Sequence, residues 1–282
     1  NTDDIADIQI LKDATATAIY GVNGSAGVVL ITTKRGKTNK NSFHFSSYYG
    51  TSKIVKNIDV LDIDQYKQLM LEISPTNYYE TTKKSIYSGI NTNWADKVFQ
   101  TGIDQNYDFS YSGGGEKIKT FASLGYQDTN GIINPSEFNR LNGRINIDVD
   151  AASWLKAHAN MNLIHINRDN TSDNAEAGRG GVILSALVTQ PFLPVYADEF
   201  VGRDYNATTG IYSYPGQPTN TGGYQNGQFA ANPVNSLQNP AARQSPQDHT
   251  STYKYIGNLS LDITLLKNLV WKPSSTVERV RS

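Results

Sequence analysis

Leu141-Asn-Gly-Arg-Ile-Asn-Ile-Asp-Val149 is soon followed by Leu155-Lys-Ala-His-Ala-Asn-Met-Asn-Leu163. In both stretches every second residue is apolar or glycine, and those between are Asn, Arg, Asp, Lys or His. Side chains alternate across a β-strand, so each stretch reads as a ribbon with one apolar and one polar face. Tyr253–Leu265 repeats the pattern with Tyr253, Tyr255, Gly257, Leu259, Leu261, Ile263 and Leu265; Ile256 alone breaks it. Weaker versions occur at Phe43–Tyr49, Tyr107–Ser112 and Ile118–Gln127. The reading is a set of strands of roughly ten residues, each with one face against an apolar phase.

The connections sort by parity. Gly113–Glu116, Asp150–Trp154 and Leu266–Asn268 read as tight turns, while Gly50–Asn106, Asp128–Glu137 and Arg168–Thr252 read as long connections. Strict alternation of short and long is the pattern of an up-and-down transmembrane barrel. A soluble sandwich has no reason to sort its loops this way. Tyr107, Tyr126, Phe138 and Tyr253 fall at strand ends toward the long loops, and Trp154 and Trp271 toward the short turns. Two aromatic belts suit the two interfaces of a bilayer.

Composition narrows the classes further. Twenty-five Lys and Arg against 26 Asp and Glu among 282 residues leave a net charge of −1, so no global field points to nucleic acid. The absence of cysteine excludes disulfide scaffolds, thiolate metal sites and thiol nucleophiles. No run approaches the roughly 18 apolar residues of a membrane helix; the longest, Val182–Val188, is interrupted by Ser185. A chain that opens on Asn rather than Met reads as an internal piece of something longer.

The first 38 residues differ from the rest. Ile5–Leu11 reads as a short strand, Asp13 as the N-cap of a short helix over Ala14–Tyr20, and Gly21 as its stop. Gly27–Thr33 is a β-branched run, and Lys34–Lys40 a basic, polar exit. Farther along, Leu61–Ile73 has helical spacing with Asp62 or Asp64 as a cap, and Asp204–Pro246 is a polar, Tyr-rich loop.

Ile10–Gly21, reading Ile-Leu-Lys-Asp-Ala-Thr-Ala-Thr-Ala-Ile-Tyr-Gly, is followed by Gly27–Gly36, Gly-Val-Val-Leu-Ile-Thr-Thr-Lys-Arg-Gly. Together they closely resemble the end of the plug domain in SusC/RagA-type TonB-linked outer-membrane proteins. Siderophore receptors usually carry Gly-Pro at the positions of Asp13–Ala14, which favours the SusC side. The resemblance runs on through Trp94–Thr101, Gln105–Gly115, Arg140–Asp148, Trp154–Leu163 and Gly257–Leu265. It implies a mainly β fold: residues 1–38 as the C-terminal part of an α/β plug, and 39–282 as the N-terminal strands of a transmembrane antiparallel barrel. It also implies import of glycans or oligopeptides with a SusD-like surface lipoprotein, driven by the TonB complex through a segment outside this chain. Six strands, seven with Val270–Val280, are readable where plugged transporters use about 22. Two alternatives are a TonB-dependent siderophore or vitamin receptor and, in another class, a soluble secreted carbohydrate-binding β-sandwich.

No catalytic, cofactor or metal constellation emerges, and the expectation is a non-enzyme. His44, His158 and His165 fall in strands and His249 in a loop, without metal-ligand spacing. His158 alternates onto the polar face. Asp169, Asp173 and Glu176 lack the spacing and glycine of a calcium loop. The candidate substrate contacts are loop aromatics, Trp94, Tyr205, Tyr212, Tyr214 and Tyr224, whose flat faces suit sugar rings or peptide side chains.

Overall fold

The computed structural model describes residues 2–12, 21–22, 24, 26–56, 58–73, 89–170, 181–196, 204–206, 211–213, 239–244 and 248–282. Strands β1 (Ile5–Leu11) and β2 (Val28–Thr33) pair antiparallel in a sheet of their own. The helix expected over Ala14–Tyr20, with its cap at Asp13, lies outside the described residues. Gly21 has φ +60°, the left-handed conformation that suits a glycine stop.

One antiparallel sheet forms the rest of the frame. Its strands β3 (Ser42–Ser52), β4 (Gly102–Gly114), β5 (Ile118–Asn130), β6 (Glu137–Ala152) and β7 (Leu155–Asn170) are sequential neighbours. After a two-stranded ribbon in the long loop, β8 (Asp204–Asn206) with β9 (Ile211–Ser213), strand β10 (Asp248–Leu266) rejoins beside β7. The far side of β10 pairs first with β11 (Leu269–Trp271) and then with β12 (Ser274–Arg281), two pieces interrupted at Lys272–Pro273. Proline cannot donate to a ladder, so the break falls there.

The register makes the two faces explicit. One row across the sheet reads Phe45, Phe109, Leu124, Gly143, Leu163 and Tyr255. The next row toward the short turns reads Phe43, Tyr111, Ala122, Ile145, Met161, Gly257 and Val277. These side chains cover no core: Leu124 is 55% and Met161 49% exposed. A sandwich would bury such a face against a second sheet, so the soluble-sandwich alternative is set aside. The opposite face carries Ser110, Ser123, Arg144 and Asn162 in one row and Lys119, Asp148, His158 and Ser260 in another.

The apolar band has borders. Tyr107, Tyr126, Leu141, His165 and Tyr253 form a single outward row, with His165 stacked on Tyr253 at 4.1 Å and 10°. One row beyond, the outward residues turn polar: Gln105, Asp128, Asn139, Asn167 and Ser251. At the other end lie Trp154 and Trp271, each more than half exposed. From Tyr253 to Ile263 the strand covers about 34 Å at about 3.4 Å per residue. Tilted by about 45°, it rises about 25 Å, the height of a barrel's apolar band.

Three details differ from the sequence reading. Strands β3 to β7 and β10 run from 11 residues in β3 to 19 in β10, because pairing continues past the aromatic row where alternation of polarity stops. The connection expected to be long over Asp128–Glu137 shrinks to residues 131–136, closed by Gly131 N–H to the Ser136 carbonyl at 2.8 Å. Phe138 does not join the belt; it shares an inward row with Thr129, and the Arg168 guanidinium lies 5.8 Å above its ring. The expected helix forms as α1 (Ile63–Ile73), and Asp62 and Gln65 close a reciprocal capping box at 2.8 and 3.1 Å.

Outward and inward positions respond differently to charge. In the full-length receptor, Met161→Arg, near the middle of the band, is expected to cost about 2–4 kcal/mol, whereas Asn162→Arg on the inner face is tolerated. Urea titration of the protein folded in lipid vesicles measures both.

Candidate functional site

The inner face holds the N-terminal segment by a polar seam. The Asp4 carboxylate is 2% exposed and lies 3.2 Å from Arg144 Nε on β6. Ser46 of β3 donates to the Asp3 carboxylate at 2.6 Å. Where the chain leaves β2, Asn146 Nδ2 donates to the Lys34 carbonyl at 2.8 Å, and Ser112 Oγ to the Arg35 carbonyl at 3.3 Å. The Arg35 guanidinium pairs with Asp148, which also meets His158 Nδ1 at 2.6 Å. Asn146 is 1% exposed, so its amide is spent inside this seam.

Gly36 shows how close the approach is. A Cβ there would stand 2.3 Å from the Thr120 nitrogen and 2.8 Å from the Gly113 carbonyl oxygen. Backbone lies on backbone, and neither can yield. The alternation of β6 and β7 put Arg144, Asn146, Asp148 and His158 on the polar face; it gave no sign that Asp4, Lys34 and Arg35 would meet them.

At the long-loop end the connections gather into one main cluster and a smaller one beside it. Helices α2 (Trp94–Val98), α3 (Val182–Val188) and α4 (Pro240–Arg243) pack through Trp94, Val98, Val182, Ala186, Leu193 and Ala241. Ile133, from the connection between β5 and β6, packs against them, and α1 closes over Phe192 with Ile63, Tyr66 and Met70. Asn239 caps α4 through its Oδ1 and donates Nδ2 to the carbonyls of Pro194 and Val195 at 3.2 and 3.0 Å. Gln244 donates to the carbonyls of Lys97 and Val98 at 3.1 and 3.2 Å. Asn239 and Gln244, which tie the loops together, have no periodicity to betray them.

The candidate ligand aromatics separate on this geometry. Trp94 is corrected: it is 1% exposed and its indole N–H donates to the Gln190 carbonyl at 3.1 Å, so it presents no free face. The α2 cap on Asn93 and the apolar pocket of α3 draw it inward. Tyr205 and Tyr212 are opposed on the β8–β9 ribbon. Tyr214 and Tyr224 lie outside the described residues. Asp169 is engaged by His249, and among the described residues no group of three or more side chains is placed to hold a metal ion.

A sheet apolar outside, polar inside and sewn to a folded segment within defines part of a plugged transmembrane β-barrel. The chain is 33% identical over 273 residues to the TonB-dependent receptor SusC of Bacteroides thetaiotaomicron, which covers 93% of this chain and 25% of that protein. It is 32% identical over 197 residues to the TonB-dependent receptor P3 of Formosa agariphila, 68% of this chain and 19% of that one. Solved structures of the RagAB peptide transporter share the fold, with a TM-score of 0.70 at 20% identity over 99% of this chain and 32% of theirs. No protein-family model matches. The chain belongs to the SusC/RagA-type TonB-dependent receptors of the outer membrane, and it spans about a quarter of SusC's length.

Two substitutions test the two halves of this description. Asp4→Asn leaves the partly buried Arg144 without a counter-charge, a loss of about 3 kcal/mol, and is expected to expose residues 1–38 to protease in the full-length receptor. Trp94→Ala removes the largest side chain of the loop cluster and is expected to cost that cluster about 3–5 kcal/mol. Limited proteolysis of the external loops on intact cells, with the barrel still resistant, measures it.

Proposed function

We propose that the chain is the plug exit and first strands of a TonB-dependent transporter that imports glycans or oligopeptides across the outer membrane. Residues 1–38 are assigned to the plug and 39–282 to the wall. The observation that supports this is the seam: Asp4 on Arg144, Arg35 on Asp148 and Gly36 on the Thr120 backbone seat a folded segment on the polar inner face. A barrel of about 22 strands has a lumen wide enough to leak unless it is filled. Passage therefore requires the plug to rearrange, and the work for that comes from outside the barrel, through TonB and the inner-membrane proton gradient.

The likeness to SusC and to the RagAB transporter supports a SusD-like lipoprotein as partner at the loop end. The likeness to receptors and transporters likewise supports a role in transport rather than catalysis. Tyr205 and Tyr212 stay as candidate substrate contacts on the β8–β9 ribbon. The test is uptake of fluorescent oligosaccharides and oligopeptides too large for porins by cells with and without the full-length receptor. Import that needs the receptor and stops when the proton gradient is collapsed is the expected result. Equal uptake by the deletion strain overturns the proposal.

A further inference from the structure

Above the seam the inner face carries two arginines that pair with no carboxylate among the described residues. The described contacts of the N-terminal segment reach as far as the row of Ser46, Asp108, Gly125 and Asn142, through the bond between Ser46 and Asp3. One row farther toward the loops lie Asn106, Gln127, Arg140 and Ile166, and the row after that holds Asp104, Thr129, Phe138 and Arg168. Arg140 and Arg168 are therefore diagonal neighbours on adjacent strands, about 7–8 Å apart at the backbone. Both lie between the plug seam and the loop cluster.

Nothing among the described residues neutralises them. Arg140 Nε is buried with no hydrogen-bond partner, and among the described residues no carboxylate forms an ion pair with either guanidinium. Arg168 rests over the Phe138 ring instead. The carboxylate in the same rows, Asp104, accepts the Thr129 hydroxyl at 2.7 Å, and Asp108 one row below is held by the Asn106 amide. Arg140 is partly buried with its Nε unsatisfied, while Arg168 is exposed and open to a ligand; a planar carboxylate meets a guanidinium fork with two parallel bonds.

We infer that Arg140 and Arg168 form a carboxylate-binding subsite on the lumen wall, so that the transported substrate is acidic: a uronate-bearing glycan or a peptide with free carboxylates. This rests on the transport reading above. Phe138, Gln127 and Thr129 would flank the bound group with one aromatic face and polar side chains.

The test uses the full-length receptor in detergent and isothermal titration with four probes: an oligouronate, its methyl ester, an acidic oligopeptide and its amidated form. At least one acid form is expected to bind about tenfold tighter than its neutral counterpart, with the advantage shrinking as salt rises. Preference within the sugar pair assigns a glycan, and within the peptide pair a peptide. Arg140→Gln and Arg168→Gln should each erase that preference while binding of the neutral form is unchanged; Arg140→Lys keeps the charge should Arg140→Gln fail to fold. No preference in either pair, or a preference that survives in both Gln variants, overturns the subsite. So does a fall in melting temperature with the preference intact, which would make Arg140 the partner of a carboxylate elsewhere in the receptor. Receptor-dependent uptake of neutral oligomers alongside any of these leaves the transport function standing, whereas loss of all uptake differences counts against that function.

Discussion

In hydrocarbon a backbone N–H or C=O has no water to turn to, and each one left unpaired costs several kcal/mol. That constraint shapes most of what the chain does. It accounts for unbroken pairing across the apolar band from Tyr253 to Ile263, for turns as tight as Ser153–Trp154 below it, and for a sheet that crosses the membrane without a helix. Once the ladder is obligatory, alternation hands one set of side chains to lipid and the other to the lumen. Leu124 and Ser123 are adjacent in sequence and live in different solvents.

The lumen face then has to serve two ends with the same polar residues. Asn146, Asp148 and Arg144 could line a wet channel, yet here they hold Lys34, Arg35 and Asp4. These are directional contacts of modest net strength, and they seat the N-terminal segment on the sheet at defined positions. Apolar packing of the same area would be indifferent to direction. Gly36 adds a contact of another kind, main chain against main chain, which fixes where the chain passes from the N-terminal segment to the sheet.

The sheet was legible from period two alone, and so was the sorting of its turns, because lipid contact imposes alternation strictly between the belts. Legibility ended where that pressure ended. Outside the belt Gln105, Asp128, Asn139 and Asn167 occupy outward positions in water, so the extra length of β4 to β7 left no apolar trace. Phe138 was misplaced by judging it from its nearness to a strand end; its parity with Arg140 sends it inward. Trp94 read as a surface aromatic because its burial depends on Val182 and Gln190, nearly a hundred residues away. The seam was invisible for the same reason: Asp4 and Arg144 meet only after the sheet has formed. By contrast, the local cap at Asp62 was readable, since its cause lies within a few residues.

The unequal rims of the sheet have an evolutionary corollary. On one rim the hairpin at Ser153–Trp154 fixes register, and adding a residue there would exchange lipid-facing and water-facing side chains along a whole strand. On the other rim, segments such as 53–101 and 171–247 can lengthen, shorten or be traded without disturbing a single ladder bond below. Diversification is thus confined by geometry to the long-loop rim, and a lineage can remodel those loops while inheriting its wall intact.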